Sequence, residues 1–250
     1  MAALIKALKR ISFAALAALA LAPSSAFAAF GIESTTESGI SNGTTLTFAH
    51  TVTAANLLIV TCGVGTNSSA TPEAVITGIT FNGDALTHVV SGGVNGTWGI
   101  ASIWRRDSPD IATGNVVVTF NPGQTQGVCG ASGLTDANLT LGATNIAAGT
   151  TDNPTVTITS TSGDFVIGAI GNDVGPVATL AVTSPGVELW EQEDVSSDSD
   201  LGAQRVTASG ASTAVTWTSA VGGEHWAVAG VAISGTGGAA SGLLLRRRRN

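Results

Sequence analysis

The chain has 250 residues and a formal charge of −7; 44% of it is hydrophobic, 11% is charged and 32 residues are glycine. It is too apolar for a disordered chain and too poor in Lys and Arg for a nucleic-acid binder. The glycines show no three-residue period, which excludes collagen, and two cysteines are too few for a disulfide-framework miniprotein.

Residues 1–28 read as a secretory signal peptide. Lys6, Lys9 and Arg10 form its basic start, 11–22 its apolar run, and Ala26-Phe27-Ala28 a small-x-small cleavage site. The apolar run is shorter than the about 20 residues that span a bilayer. Its removal takes away both lysines and leaves seven arginines against 17 acids, a net charge of −10. Four of those arginines are Arg246 to Arg249, so the part between the two ends carries −14. Such a field repels nucleic acid and anionic lipid. Membrane contact is therefore expected only through the signal peptide or the C-terminal tail.

From 29 to 234, short runs of Val, Ile, Thr and Phe alternate with clusters of Gly, Asn, Pro and Ser, the pattern of an all-β domain. The first half predicts strands over 44–51, 57–64, 76–81, 85–90, 98–105, 115–120 and 126–134. The second predicts them over 155–161, 165–171, 188–193, 201–208, 214–218 and 226–233. Asn82-Gly83 is a type I′ hairpin signal, because both turn residues need positive φ. Pro185-Gly186 marks a comparable turn in the second half.

The two halves match in order. Residues 45–51 answer 155–161, 57–60 answer 165–168, Gly83 answers Gly186, Leu86 answers Leu189, 118–120 answer 215–217, and Leu134 answers Ile233. Each half has about 100 residues, and its sheet needs a partner face. The expected fold is therefore one jelly-roll-like β-sandwich of two antiparallel sheets, built from two degenerate half-repeats. Residues 235–250 follow as a Gly-rich linker and basic tail. This end is similar to bacterial C-terminal sorting tails, but Leu243-Leu244-Leu245 is too short to cross a membrane.

The succession Leu57-Leu-Ile-Val60, Ile79-Thr-Phe-Asn-Gly-Asp-Ala-Leu-Thr-His88, Ser102-Ile-Trp-Arg-Arg-Asp107, Gly163-Asp-Phe-Val-Ile-Gly168 and Trp226-Ala-Val-Ala-Gly-Val-Ala-Ile233 resembles a widespread group of secreted bacterial β-sandwich domains. Their lectin-like, jelly-roll appearance implies the fold given above. The resemblance brings no catalytic set to carry over.

Concentrated polar chemistry lies at 188–200. Simple alternation puts Leu189, Glu191 and Glu193 on one strand face and Glu188, Trp190 and Gln192 on the other. Glu191 and Glu193 are candidate ligand-binding acids, and as a spaced carboxylate pair they also fit the glycosidase requirement. Asp194, Asp198 and Asp200 fall in the expected following loop, where hard oxygen ligands suit calcium, the one cofactor considered. Trp217 matches Phe120, and Trp226 opens an apolar strand, so both are expected in the core. Trp190 matches Thr87, which makes it the best exposed aromatic platform for a sugar. His50, His88 and His225 are scattered and read as surface or edge residues. Cys62 and Cys129 lie in apolar runs. Export permits a disulfide between them, whereas their apolar equivalents near Ile170 and Val228 favour two packed thiols.

These readings point to a non-catalytic module, exported to the periplasm, the cell surface or the medium, with a structural, adhesive or matrix-binding role. Its partners would be glycans or matrix components. A carbohydrate-binding module using Trp190, with or without calcium, is the alternative, and a jelly-roll glycoside hydrolase the weaker one.

Overall fold

The computed structural model describes residues 30–66, 72–93, 99–121, 125–173, 180–194, 199–219 and 225–236. The expected signal peptide, the tail beyond 236, Trp98 and Asp198 lie outside the described residues.

Two central strands set the layering. In β3 (Leu57–Thr66), Leu58, Val60, Cys62 and Val64 enter one core while Leu57 and Ile59 enter another. In β12 (Phe165–Asp173), Val166 and Ile170 enter one core, and Phe165, Ile167 and Ala169 the other. A strand apolar on both faces must be covered on both faces.

In the first half a five-stranded sheet runs in the order β1 (Gly31–Glu37), β9 (Thr125–Thr135), β3, β7 (Ile100–Asp107), β6 (Thr87–Gly92). It is covered by a smaller sheet ordered β2 (Thr45–Thr51), β8 (Thr113–Phe120), β4 (Ile76–Phe81), β5 (Asp84–Ala85). In the second half the five-stranded sheet runs β10 (Thr144–Gly149), β17 (His225–Ile233), β12, β15 (Ser199–Thr207), β14 (Val187–Asp194). Its smaller sheet is β11 (Thr155–Thr159), β16 (Ser212–Ser219), β13 (Leu180–Val182). A single helical turn, α1 (Pro72–Val75), precedes β4.

The two halves thus have the same strand order, with β5 as the one addition. The fold is an all-β antiparallel sandwich with two half-repeats, but it has four sheets where two were expected. Each half closes its own sandwich around its own core. The two five-stranded sheets then pack on each other through Leu57, Ile59, Ile103 and Leu134 on one side and Phe165, Ile167, Val231 and Ile233 on the other. The doubly apolar central strands are the physical reason: one face serves the half's own small sheet and the other serves the second half.

The hairpin between β4 and β5 turns at Asn82 and Gly83, with φ of 52° and 91°, the left-handed pair that the turn demands. At the second turn the Gly186 amide donates to the Thr183 carbonyl. Cys62 stands directly opposite Cys129 on β9, and the two form a disulfide with both residues fully buried. This corrects the packed-thiol expectation. The equivalent second-half residues, Ile170 and Val228, are also directly opposed, so two cysteines placed there are side by side. His50 is also corrected: it is buried, with its ring hydrogen-bonded to Thr36 Oγ1 and its edge against Phe81. Trp217 and Trp226 are in the core, as expected.

Candidate functional site

The site begins with an irregularity in β14. Glu188 stands opposite Gln204 of β15, but the next pair is Trp190 with Ala203, which leaves Leu189 as a bulge. Strand β6 has the same feature: Val89 is left over between His88 opposite Trp104 and Val90 opposite Ile103. A bulge adds one residue and reverses the alternation beyond it. Trp190 is therefore the counterpart of Val90, not of Thr87, and Leu189 is the counterpart of the bulged Val89.

The reversal turns Trp190 inward, against the expectation of an exposed platform. It is only 3% exposed, and its Nε1–H donates to Thr61 Oγ1 at 2.8 Å. The indole lies on Gly130, where a Cβ would come within 2.1 Å of Cδ1, so only glycine leaves room for it. The carbohydrate-binding reading loses its aromatic residue. Among the described residues Trp104, Trp217 and Trp226 are buried as well.

The same reversal brings Glu188 to the face that carries Glu191 and Glu193. Asp200 lies in strand β15 and not in a loop, directly opposite Glu193. On its other side it faces Asn172 of β12. Asn172, Asp200 and Glu193 thus form one row across three strands. Gly202 and Glu191 form the next row, and Gln204 and Glu188 the one after. The row lies at the rim of the second sandwich, beneath β13, whose Leu180 amide donates to Asp200 Oδ2. Asp194 ends β14 opposite Ser199. As the side chains stand, no three acids, His or Cys among the described residues converge tightly enough to enclose a metal.

The electrostatics of this face are unusual. Asp200 is fully buried; desolvation raises its pKa to about 7, the Leu180 hydrogen bond opposes this, and the charges of Glu191, Glu193 and Glu188 add to it. Glu191 is likewise raised to about 7, first by desolvation, then by the charges of Glu188 and Glu193 and a hydrogen bond with Glu188. Among the described residues Asp200 Oδ1 has no partner, and neither does the side-chain oxygen or nitrogen of fully buried Asn172. The ion pairs found among the described residues, Arg105 with Asp107 and Arg106 with Asp84, lie elsewhere.

The first half shows what the fold itself requires here. The counterparts of Glu188, Glu191, Gly202 and Gln204 are His88, Ser91, Ser102 and Trp104. They form a closed network: His88 bonds Ser91 at 2.7 Å, and Ser91 and Trp104 both donate to Ser102. The counterparts of Asn172 and Asp200 are Val64 and Ile100, paired in the core. Asn172 was missed in the sequence. Its signal was a polar residue in 165–172 at the place where Val64 ends the matching run 57–64.

A shallow groove of two adjoining hollows, about 400 Å³ each, runs between β6 and the segment from Leu139 into β10. His88, Val89, Arg105, Leu141 and Ile146 line it.

Compared with protein-family models, curated proteins and solved structures, the chain matches none.

Proposed function

We propose that this is an exported, non-catalytic β-sandwich module with a structural, adhesive or matrix-binding role. The observation that carries the reading is the character of the two outermost sheets. Each turns a row of uncharged hydroxyls to solvent, Thr45, Thr47 and Thr51 at one end of the stack and Thr157, Thr159 and Thr218 at the other. Some of these are tied to their neighbours, as in Thr51 with Thr113 at 2.8 Å and Thr183 with Thr218 at 3.1 Å. Ordered hydroxyls on rigid strands suit contact with hydrated polymers. The disulfide supports an oxidising compartment, in line with the basic-apolar start of the chain.

The test is co-sedimentation of the purified chain with insoluble polysaccharides and cell-envelope material. Retention is expected, with at least tenfold weaker binding for the Thr47→Glu, Thr157→Glu double variant. Failure of the wild type to bind any of these materials would overturn the reading.

A second reading, a glycoside hydrolase, draws on Glu191. A carboxyl kept protonated near neutral pH beside a second carboxylate suits acid–base chemistry at a glycosidic bond. Turnover on a glycan panel that disappears in Glu191→Gln would replace the first reading with this one.

A further inference from the structure

We infer that the row Asn172, Asp200 and Glu193, with Glu191 beside it, binds a hard divalent cation of the calcium class. The inference does not rest on the functional reading above. Directly opposed residues of an antiparallel pair project side by side on one face. Asn172 and Asp200 are therefore buried side by side, and Glu193 stands next to Asp200 on the same face.

Three observations carry it. First, Asn172 is fully buried, and its amide oxygen and nitrogen have no partner among the described residues. Folded proteins rarely leave such atoms unmatched, and an orphan of this kind marks an unfilled role. Second, Asp200 Oδ1 has no partner among the described residues, while the Leu180 amide holds its other oxygen in place. Third, the polar pair is not a demand of the fold, because the first half builds the same strands with Val64 and Ile100. The second half has instead collected oxygen donors, and Gly202 carries no side chain beside Glu191 where the first half has Ser102.

The donors are two kinds of hard oxygen, carboxylate and amide carbonyl. That set suits calcium, which takes six to eight oxygens in flexible geometry and accepts water for the remainder. Zinc and copper favour imidazole nitrogen and thiolate sulfur, and the row holds neither His nor Cys. The carboxylates stand apart without the ion. Binding would draw the half-exposed Glu191 and Glu193 side chains toward Asn172 and Asp200. A bound cation also relieves the mutual repulsion of the acids on this face.

The test is calorimetric titration of calcium chloride into the chelator-treated full chain at pH 7.5, with melting temperature read in parallel. One ion per chain and a rise of several degrees are expected. Asp200→Asn should weaken binding at least tenfold. Asn172→Val, which restores the first-half residue, should raise the melting temperature of the calcium-free protein and remove the calcium-dependent rise. That pair of opposite shifts separates a site from a folding defect. Asp110→Asn, an exposed acid of the first half beside Asn82, should bind as the wild type does. Absence of heat and of any thermal shift at millimolar calcium would overturn the inference. A shift that survives in Asp200→Asn and Asn172→Val would also overturn it, since that is diffuse attraction to an acidic surface.

Discussion

Leu189 decides the direction of everything after it in β14. Without the bulge, Trp190 would share a face with Glu188; with it, the indole is buried and three glutamates align beside Asp200. The raised pKa values of Asp200 and Glu191 give a pH prediction. The native state holds protons on Asp200 and Glu191 that the unfolded chain releases near its ordinary carboxylate values. The stability from these groups is therefore complete at low pH, falls between about pH 4 and about pH 7, and is level above that. Glu33 acts in the opposite sense. Partial desolvation pushes its pKa up, but hydrogen bonds from Thr53, Ala54 and Ala55 outweigh this and hold it below the usual value. Its contribution is present above the ordinary carboxylate pKa and is lost as pH falls through the lowered one. In chelator-treated protein the melting temperature should peak on the acid side and decline toward pH 7, with a shallower decline in Asp200→Asn. A melting temperature that climbs steadily from pH 5 to pH 8 would refute this assignment. The acidic stretch was legible in the sequence, but its facing was not. Aligning the halves on the turn glycines Gly83 and Gly186 matches Trp190 with Thr87, whereas the ladders match it with Val90. A bulge leaves no mark in an apolar-polar pattern read by counting.

Among the elements, the strands visible in advance are those buried on one or both faces, such as β3, β8, β12 and β17. Their Val, Ile and Phe runs reflect that burial. Strands β1, β10 and β13 carry no such run. β1 and β10 are sheet edges of mixed polarity, half-buried or exposed along their length, and β13 has three residues. An edge strand is held by backbone pairing to one neighbour, which any side chain permits, so its sequence carries little pattern. The disulfide belongs to this scale because it joins β3 to β9 across a sequence separation of 67 residues. Closing a loop of that length in the unfolded chain contributes about 4 kcal/mol. The Cys62→Ala, Cys129→Ala variant should lose stability of that order in urea denaturation, with the fold retained by circular dichroism. An unchanged midpoint would mean that the bridge constrains nothing.

At the level of the whole molecule, the repeat was legible from the order of its matches, but the partnership of the sheets was not. Interleaved halves and self-closed halves bury the same apolar faces, and only the doubly apolar runs at 57–60 and 165–167 distinguish them. Because each five-stranded sheet needs the other, neither half should persist alone as a monomer. Residues 139–236 expressed separately would expose Phe165, Ile167, Val231 and Ile233 together. Size-exclusion chromatography should show dimers or larger species. A well-folded monomer at micromolar concentration would show that the shared layer is dispensable.

The pairing of like sheets is the arrangement that two identical chains would adopt as a dimer. Here the two partners are joined end to end by the segment between β9 and β10. Their association is unimolecular, so dilution cannot separate them. The covalent link also frees the two copies from identity. In a homodimer any new residue appears twice, at both ends of the assembly. In this chain Val64 and Asn172 occupy one structural position with different chemistry, so one copy can keep a sealed interior while the other gives up part of its own for something else.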